Sequence, residues 1–195
     1  SEQLDLPAAF GRDAPRVLEI GCGTGEALVE LAGARPEVDF VGVDWYRGGV
    51  AASMQRSAEA RLTNVRLIRG DAATLLEVAL PAAPLFEEVL VFFPDPWRGS
   101  EERRILRAAV IGHIRLRLRP GGLLRIGTDV QGYPEEARAV IAADSSAWRE
   151  VGCGECEACR PGHGRPDTHY AREAVREGRQ IHDLCFLLTK EHVDE

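Results

Sequence analysis

The string VFFPDPWRG, residues 91–99, places one carboxylate between two prolines directly after an apolar run. The flanking prolines restrict the backbone around Asp95, which ends a predicted buried strand. A carboxylate fixed in this way can stabilise positive charge that develops during a reaction. Trp97 follows at once and offers a flat face on which a base can stack. The alternative roles are core packing for Trp97 and a helix N-cap for Asp95.

A glycine-rich turn is the second feature that can do chemistry. In LEIGCGTGEAL, residues 18–28, Gly21, Gly23 and Gly25 form a G-x-G-x-G pattern between a predicted strand and a predicted helix. A backbone without Cβ atoms turns tightly and approaches a ligand closely, next to the free amides of the following helix. The dinucleotide fingerprint has its third glycine one place later, where this chain has Glu26. A pyrophosphate would meet a carboxylate there, so a cofactor without phosphates fits better.

Acidic residues cluster around the same turn. Glu19 precedes the glycines, Asp44 ends the second predicted strand and Asp71 ends the third. In nucleotide-binding α/β folds, an acid after the second strand binds ribose hydroxyls. Asp71 is placed to accept a hydrogen bond from an adenine amino group. Each acid alone is better explained as a helix N-cap or a surface turn, but three of them around one glycine turn favour an adenosine pocket.

The predicted elements bring these residues together. Strands predicted at 16–20, 39–43, 65–68, 88–93 and 123–127 alternate with helices predicted at 26–34, 49–61, 74–79, 101–118 and 134–143. This alternation predicts an α/β fold with a mostly parallel sheet covered on both faces. Residues 148–151 and 181–188 are predicted to pair as an antiparallel hairpin. We expect one domain over residues 1–195, with a cysteine-rich insert at 152–164.

The composition is that of a globular protein. Of the 195 residues, 45% are hydrophobic and 28% are charged, which argues against disorder. No apolar run approaches the roughly 20 residues that a membrane helix needs. The first ten residues lack the basic and apolar regions of a secretory signal, so we expect a cytoplasmic protein.

The charge distribution gives two opposing indications about nucleic acids. The net charge of −7 by itself argues against such a partner. Between residues 98 and 125, however, eight arginines stand against two glutamates, a local charge of +6 (Arg98, Arg103, Arg104, Arg107, Arg115, Arg117, Arg119 and Arg125). The run is either a solvated helix face or a patch that contacts phosphates.

Three cysteines and a histidine form a C-x2-C-x2-C-x3-H pattern: Cys153, Cys156, Cys159 and His163. These residue types at such gaps can bind zinc tetrahedrally, and we expect a structural zinc that orders the segment after it. A flexible thiol loop without metal is the alternative. The other two cysteines, Cys22 and Cys185, are expected to pack in the interior.

Several motifs carry a resemblance to a known family. The E-x-G-x-G-x-G form and the strand-end acids over residues 16–130 resemble the class I S-adenosylmethionine-dependent methyltransferases, which have a Rossmann-like, mostly parallel seven-stranded sheet. FFPDPW, GTD at 127–129 and RPDTHY at 165–170 look like those of the bacterial tRNA (guanine-N7)-methyltransferases. NVRLIRGDA, LRPGG and the G-x4-DL-x-F pattern at 178–186 extend the likeness nearly end to end, except for residues 152–164.

The resemblance implies an enzyme that forms 7-methylguanine in tRNA with S-adenosylmethionine as cofactor. It places Asp95 at the catalytic position. It implies a cofactor site made of Glu19, Gly21, Gly23, Gly25, Asp44, Asp71, Ala72 and Asp95. It implies a substrate site made of Trp97, Arg98, Asp129, Thr168, His169 and Tyr170. Because guanine N7 carries a free lone pair, its methylation needs a fixed negative charge near the purine rather than a strong base.

The chain also departs from the family pattern in its substrate region. Gly99 stands where the family has a substrate-contacting lysine, and Ala171 stands where it has a glutamate. Arg98 can replace the lysine, although arginine and lysine make different contacts. These departures leave two alternatives open: a methyltransferase that acts on a small purine-like metabolite or another RNA, and a non-catalytic RNA-binding derivative of the fold.

Overall fold

The computed structural model describes residues 3–97, 99–100, 103–144, 146–152 and 164–189. In this part of the chain the strands are β1 (Arg16–Ile20), β2 (Asp39–Asp44), β3 (Val65–Arg69), β4 (Phe86–Phe92), β5 (Leu118–Thr128), β6 (Trp148–Glu150) and β7 (His182–Leu188). The helices are α1 (Leu6–Phe10), α2 (Glu26–Ala34), α3 (Arg47–Glu59), α4 (Ala72–Thr74, continued by a π-helical turn, Leu75–Ala79), α5 (Ala108–Arg117), α6 (Tyr133–Ala142) and α7 (His169–Arg176).

The strands form one seven-stranded sheet in the order β3-β2-β1-β4-β5-β7-β6. The first five are parallel to one another, whereas β7 is antiparallel to both β5 and β6. The predicted mostly parallel sheet and its antiparallel C-terminal pair are therefore confirmed. The strand order reverses between β1 and β4, and ligands of open α/β sheets bind outside the carboxyl ends of the strands at such a point.

Apolar side chains on both faces of the sheet fix its central strands. All five residues of β1 are buried. Leu18 and Ile20 belong to a core cluster that includes residues of α5 and α6, whereas Val17 belongs to a second cluster with residues of α2. Because successive side chains of a strand point to opposite faces, this division puts one core on each side of the sheet. The ends of the central strands are thereby held in fixed positions.

The prediction of a helix at 101–118 is wrong about where the helix begins. The observed α5 begins at Ala108, because Arg107 is extended, with φ −126° and ψ 156°. Before it, the side chain of Arg104 donates to the Pro96 carbonyl and pairs with Glu136 of α6, which holds this segment against the end of β4. A local pattern of charged and apolar residues could not reveal such a constraint.

Two further elements were not predicted from the sequence. The short α1 begins after Asp5, whose side chain accepts a hydrogen bond from the Ala8 amide. The second is α7, which begins after Thr168 and carries part of the RPDTHY motif. Over the described residues, the helices are too short or too polar to cross a bilayer.

Candidate functional site

A cleft of about 1370 Å³ opens at the carboxyl ends of the parallel strands. The predicted residues that line it are Glu19, Gly21, Gly23, Asp44, Asp71, Ala72, Asp95, Trp97, Asp129, Thr168, His169 and Tyr170. The structure thus gathers residues that are spread over some 150 positions of the chain into one cavity. Gly25 lies at the turn beside the cleft and has a packing role.

The glycine turn requires a residue without a side chain at its last position. Gly25 has φ +77° and forms the N-cap of α2. A Cβ atom there would lie 2.2 Å from the Ser53 hydroxyl oxygen of α3. Gly25 therefore allows α2 and α3 to approach closely beneath the turn, which leaves the Gly21 and Gly23 backbone facing the cleft.

Asp44 joins this turn to the end of β2. Its Oδ2 accepts a hydrogen bond from the Gly23 amide at 2.8 Å, and its Oδ1 accepts one from the Tyr46 amide at 2.7 Å. Two backbone donors therefore fix the orientation of a carboxylate at the mouth of the cleft. Each oxygen keeps a second lone pair for a ligand hydroxyl.

Glu19 is a buried carboxyl group at the base of the cleft. It is 3% exposed, and its Oε2 has no hydrogen-bond partner among the described residues. Burial, with a further contribution from the negative charge of Asp44, raises the pKa of Glu19 to about 8. A buried carboxyl oxygen without a partner usually faces a ligand donor or a cation. The carboxyl groups at this end of the cleft fit S-adenosylmethionine, which carries positive charge and has no phosphate.

Asp71 has the local role that the sequence left open as an alternative. It is the N-cap of α4, and its Oδ1 accepts hydrogen bonds from the amide and the hydroxyl of Thr74, both at 2.8 Å. The side chain is exposed at the rim of the cleft, and Ala72 lies beside it. Capping fixes the orientation of the carboxylate.

The FFPDPW segment leaves β4 with an unusual backbone. Phe93 and Trp97, on either side of Pro94–Asp95–Pro96, have positive φ angles of 50° and 41°. Bulky residues rarely adopt this conformation, and backbone strain of this kind is concentrated at functional sites. The exposed Asp95 caps its own turn by accepting a hydrogen bond from the Trp97 amide at 3.2 Å. It is not the cap of a regular helix, and it lines the cleft.

Trp97 is not part of the hydrophobic core. The residue is half-buried and lines the cleft, and the Arg103 guanidinium carbon lies 3.7 Å from the centroid of its ring. Arg103 pairs with no carboxylate of the described residues and also lines the cleft. An aromatic face with an uncompensated cation beside it can bind a base and its phosphate.

Arg179, which was not among the predicted site residues, pairs with Asp129 in the cleft. The guanidinium Nη1 lies 2.9 Å from Asp129 Oδ2, and the Asp129 side chain is only 11% exposed. Arg179 lies in the connection between α7 and β7, some 50 residues after Asp129. No pattern in the sequence indicated this pair.

The predicted substrate residues at 168–170 lie on the first turn of α7. Thr168 is the buried N-cap, and its hydroxyl accepts from the Ala171 amide at 3.4 Å. The exposed ring of Tyr170 stacks on Phe93, with the centroids 6.1 Å apart. Ala171, which replaces the family glutamate, is buried under the helix. The turn therefore presents His169 and Tyr170 to the cleft.

Arg165 connects three of the motifs that carried the resemblance. Its guanidinium forms hydrogen bonds of 2.7 and 3.3 Å to the carboxylate of Asp183 on β7 and lies 5.1 Å from the Phe93 ring centroid. A Cβ atom at Gly127 would lie 2.6 Å from Arg165 Cδ. Glycine in the GTD motif therefore makes room for this arginine, which fixes the segment before α7.

The arginine-rich run is neither one solvated helix face nor one phosphate-facing patch. Several of its members have intramolecular partners, among them Arg104 with Glu136, Arg115 with Asp144, Arg117 with the Leu80 carbonyl, Arg119 with Glu87 and Arg125 with Glu88. The run is divided among a loop, α5 and β5, so its side chains point in different directions. Arg103 and Arg107 line the cleft.

Two predictions fall outside the described residues. Arg98 is one of them, and the four residues of the predicted zinc site, Cys153, Cys156, Cys159 and His163, are the other. Within the described ranges, no group of three or more histidine, cysteine or acidic side chains is placed to hold a metal ion. Cys22 and Cys185 are buried, as predicted, and burial raises the pKa of the Cys22 thiol further above its ordinary value.

Solved structures with the same fold include other methyltransferases. The 16S rRNA methyltransferase KamB superposes with a TM-score of 0.65 at 18% identity, covering 97% of this chain and 96% of that one. An rRNA methylase from Streptococcus thermophilus gives a TM-score of 0.59 at 15% identity, over 91% of this chain and 89% of that one. At these identities the likeness concerns the fold alone, and it confirms the Rossmann-like methyltransferase architecture.

Sequence relatives identify the family. A family model described as "Putative methyltransferase" matches residues 13–184. The tRNA (guanine-N(7)-)-methyltransferase of Halorhodospira halophila is 42% identical over 187 residues, which are 95% of this chain and 80% of the relative. The enzyme of the same name from Nocardia farcinica is 43% identical over 193 residues, covering 95% and 71%. This chain is therefore a methyltransferase that belongs to the tRNA (guanine-N7)-methyltransferase family.

Proposed function

We propose that this protein transfers a methyl group from S-adenosylmethionine to N7 of a guanine in tRNA, in the cytoplasm. The observation that carries the proposal is the carboxylate of Asp95, held on a strained loop in a cleft lined on one side by the glycine turn and on the other by α7. The family to which the chain belongs gives the reaction class.

The cofactor side of the proposal is supported by the carboxyl groups around the glycine turn. Asp44, oriented by two backbone amides, is suited to bind ribose hydroxyls, and Asp71 and Ala72 border the place where the adenine would lie. Glu19 would face the positively charged end of the cofactor. When bound, S-adenosylmethionine supplies an electrophilic methyl group. Trp45, 74% exposed at the rim after Asp44, adds an aromatic face that the sequence analysis did not assign.

The acceptor chemistry follows from the guanine itself. N7 is already a nucleophile, so no residue has to remove a proton before the methyl group is attached. The purine becomes cationic as the new bond forms, and a carboxylate in the cleft stabilises that charge. Asp95 can also accept hydrogen bonds from N1–H and the exocyclic amine, which orients N7 toward the methyl group. Asp129 is the second acceptor on this side.

The RNA side of the proposal is supported by aromatic and cationic groups around Asp95. Trp97 and Tyr170 offer faces on which a base taken out of its stack can lie. Arg103, next to Trp97, is the cation available for a neighbouring phosphate. His169 is exposed on the same turn as Tyr170. We assign Arg98 and Thr168 to the substrate side on the family motif.

A methyl-transfer assay tests the proposed function directly. Purified protein is incubated with methyl-labelled S-adenosylmethionine and unmodified tRNA transcripts, and the RNA is digested and analysed for 7-methylguanosine. Label in 7-methylguanosine supports the proposal. The inactive control is Asp95→Asn, which keeps the size and the hydrogen-bonding oxygen but removes the charge.

The same assay separates the alternatives. Transfer to free guanine nucleosides without transfer to tRNA would indicate an enzyme for a small purine-like metabolite, a possibility that Gly99 and Ala171 keep open. RNA binding without any binding of S-adenosylmethionine, measured by calorimetry, would indicate a non-catalytic derivative of the fold.

For the cysteine-rich segment we propose a structural zinc bound by Cys153, Cys156, Cys159 and His163. Three thiolates and one imidazole form a common tetrahedral zinc set. Metal analysis of the purified protein should find one zinc per chain, and Cys156→Ala should lose it. A wild-type protein without zinc after purification in zinc-containing buffer would contradict this assignment.

A further inference from the structure

The carboxylate of Glu26 lies between the beginnings of two helices. Glu26 is the first residue of α2, directly after the glycine turn. Its Oε2 accepts a hydrogen bond of 2.5 Å from the amide of His169, the first residue of α7, although the two residues are 143 positions apart. Helix N-termini carry partial positive charge and unsatisfied amides, so one carboxylate there stabilises both helices.

Two arginines complete the environment of this carboxylate. Arg172, one turn further along α7, places its Nη2 3.3 Å from Glu26 Oε2. Arg56 of α3 places its Nη2 3.4 Å from Oε1. The Glu26 side chain is only 21% exposed, so water screens these interactions less than it screens a surface ion pair. Glu26 therefore connects the cofactor turn, α3 and α7.

The position of α7 depends strongly on such contacts. The helix has eight residues, and only Ala171 and Ala174 are buried. A helix of this length is not stable by itself in water, and two alanine side chains bury little apolar surface. The other contacts of its first turn include the cap at Thr168, the stack of Tyr170 on Phe93 and the bonds to Glu26.

We propose that Glu26 is a positioning residue, which holds the first turn of α7 against the cofactor turn so that His169 and Tyr170 face the acceptor. This inference rests on the proposed function, since it concerns how the acceptor is bound. Glu26 also lines the cleft, but His169 and Arg172 bind its Oε2 and Arg56 lies beside its Oε1, so we expect it to act through α7 rather than on the cofactor. Its loss should weaken acceptor binding and leave cofactor binding almost unchanged.

The experiment compares four forms of the full chain: wild type, Glu26→Ala, Glu26→Gln and Glu30→Gln. Glu26→Ala removes both the acceptor and the charge, whereas Glu26→Gln keeps an oxygen that can accept from His169. Glu30 is exposed on the next turn of α2 and pairs with no described residue. Glu30→Gln therefore corrects for the general effect of removing one negative charge from a protein that binds RNA.

The kinetic readout is the separation of KM for tRNA from the affinity for the cofactor. Relative to Glu30→Gln, Glu26→Ala should raise KM for tRNA about tenfold or more, because a charge-assisted hydrogen bond and an ion pair are lost. Glu26→Gln should give an intermediate value. The Kd of S-adenosylhomocysteine, measured by calorimetry, should stay within about twofold of wild type in every variant. Equal losses in both affinities would reduce Glu26 to a structural role and overturn the proposal.

Hydrogen exchange gives a readout that needs no substrate. In Glu26→Ala the amides of α7 should exchange faster, whereas those of β1 and β4 should keep their protection. Unchanged protection of α7 would overturn the inference even if methyl transfer to tRNA is observed. If wild type does not methylate tRNA but α7 loses protection, the proposed function fails while the positioning of α7 by Glu26 is upheld.

Arg172→Gln adds a test of the contact itself. Combined with Glu26→Gln, it should raise KM by less than the product of the two single effects, because both remove the same ion pair. If the increases in KM of the two single variants multiply fully in the double variant, Glu26 and Arg172 act separately, which would contradict the proposed contact.

Discussion

The two sides of the cleft hold their charged groups by different means. On the cofactor side, Asp44 is oriented by backbone amides, and Glu19 is buried within β1. On the acceptor side, Asp129 is oriented by the side chain of Arg179 and α7 by the side chain of Glu26. Backbone donors belong to the sheet and its turns, whereas side-chain partners come from distant segments and can rearrange.

This difference suggests which side can change its specificity. A cofactor pocket built from strand ends and a glycine turn tolerates few substitutions, because the backbone itself is the binding surface. An acceptor surface built from paired side chains can exchange partners while the sheet stays the same. The departures from the family pattern, Gly99 and Ala171, both lie on the acceptor side.

The largest expected effect is at Asp95, where the two sides meet. Asp95→Asn should lower kcat by roughly 10²–10³-fold, because the charge that stabilises the cationic purine is lost. The exposed position and the absence of a cap to a regular helix predict an unchanged melting temperature. Single-turnover methylation of tRNA measures the effect, and a rate within threefold of wild type would remove Asp95 from the catalytic role.

A smaller effect is expected at the rigid cofactor side. Gly25→Ala should raise the Kd of S-adenosylhomocysteine by about tenfold or more, because a left-handed residue with a Cβ atom costs about 1–2 kcal/mol before the contact with Ser53 is counted. Gly33→Ala, on the same helix, is the control. A Cβ atom there meets only Leu62 at 3.9 Å, so the variant should bind normally and be slightly more stable. Equal cofactor affinity in both variants would contradict the close approach at Gly25.

The pH dependence of cofactor binding tests Glu19. Its pKa is raised from the ordinary value of 4.5 to about 8, so the free protein holds a proton on Glu19 at neutral pH. The unfolded chain has released that proton, so the contribution of Glu19 to stability falls as the pH rises from about 4.5 to about 8. A cationic cofactor end beside Glu19 should displace the proton. Below pH 8, the affinity for S-adenosylmethionine should therefore increase by up to about tenfold for each unit by which the pH is raised.

Calorimetry in buffers of different ionisation enthalpy measures this proton. Wild type at pH 7 should release close to one proton on binding S-adenosylmethionine, and Glu19→Gln should release none. The same proton release in both proteins would show that another group titrates.

The smallest expected effect is at Arg103 on the acceptor side. Arg103→Gln should raise KM for tRNA several-fold and lower the slope of log affinity against log salt by about 0.7–0.9, the value for one lost phosphate contact. Arg119→Gln is the control. Arg119 pairs with Glu87 near the amino ends of β4 and β5, whereas the cleft lies at the carboxyl ends of the strands. A slope unchanged from this control would leave Arg103 as a packing partner of Trp97.

Much of the cofactor side could be predicted from the sequence. The carboxyl ends of parallel strands meet at one edge of a sheet, so acids placed after successive strands lie close together whatever the details of packing. Glu19, Asp44 and the glycine turn followed from that rule. The raised pKa of Glu19 could not be predicted from this rule, because it depends on the burial of the Glu19 side chain and on its distance from Asp44.

The acceptor side was predicted only as a set of motifs. FFPDPW, GTD and RPDTHY predicted segments that line this part of the cleft, but no local pattern showed that α7 is a helix or that Arg165 packs across Gly127. The arginine-rich run shows the same limit. Its composition left open a solvated helix face or a phosphate-binding patch, whereas the fold places Arg104, Arg115, Arg119 and Arg125 in four separate ion pairs.

The sequence by itself determined the order of strands and helices, the residues that surround the cofactor turn and the carboxylate between two prolines. These features depend on periodicity and on backbone restrictions, which act over a few neighbouring residues. Only the tertiary structure decided the partners of Glu26, Asp129 and Arg104, and hence which charges remain for a ligand. The ion pairs among these contacts join residues 30 to 146 positions apart, and their formation depends on how whole helices pack on the sheet.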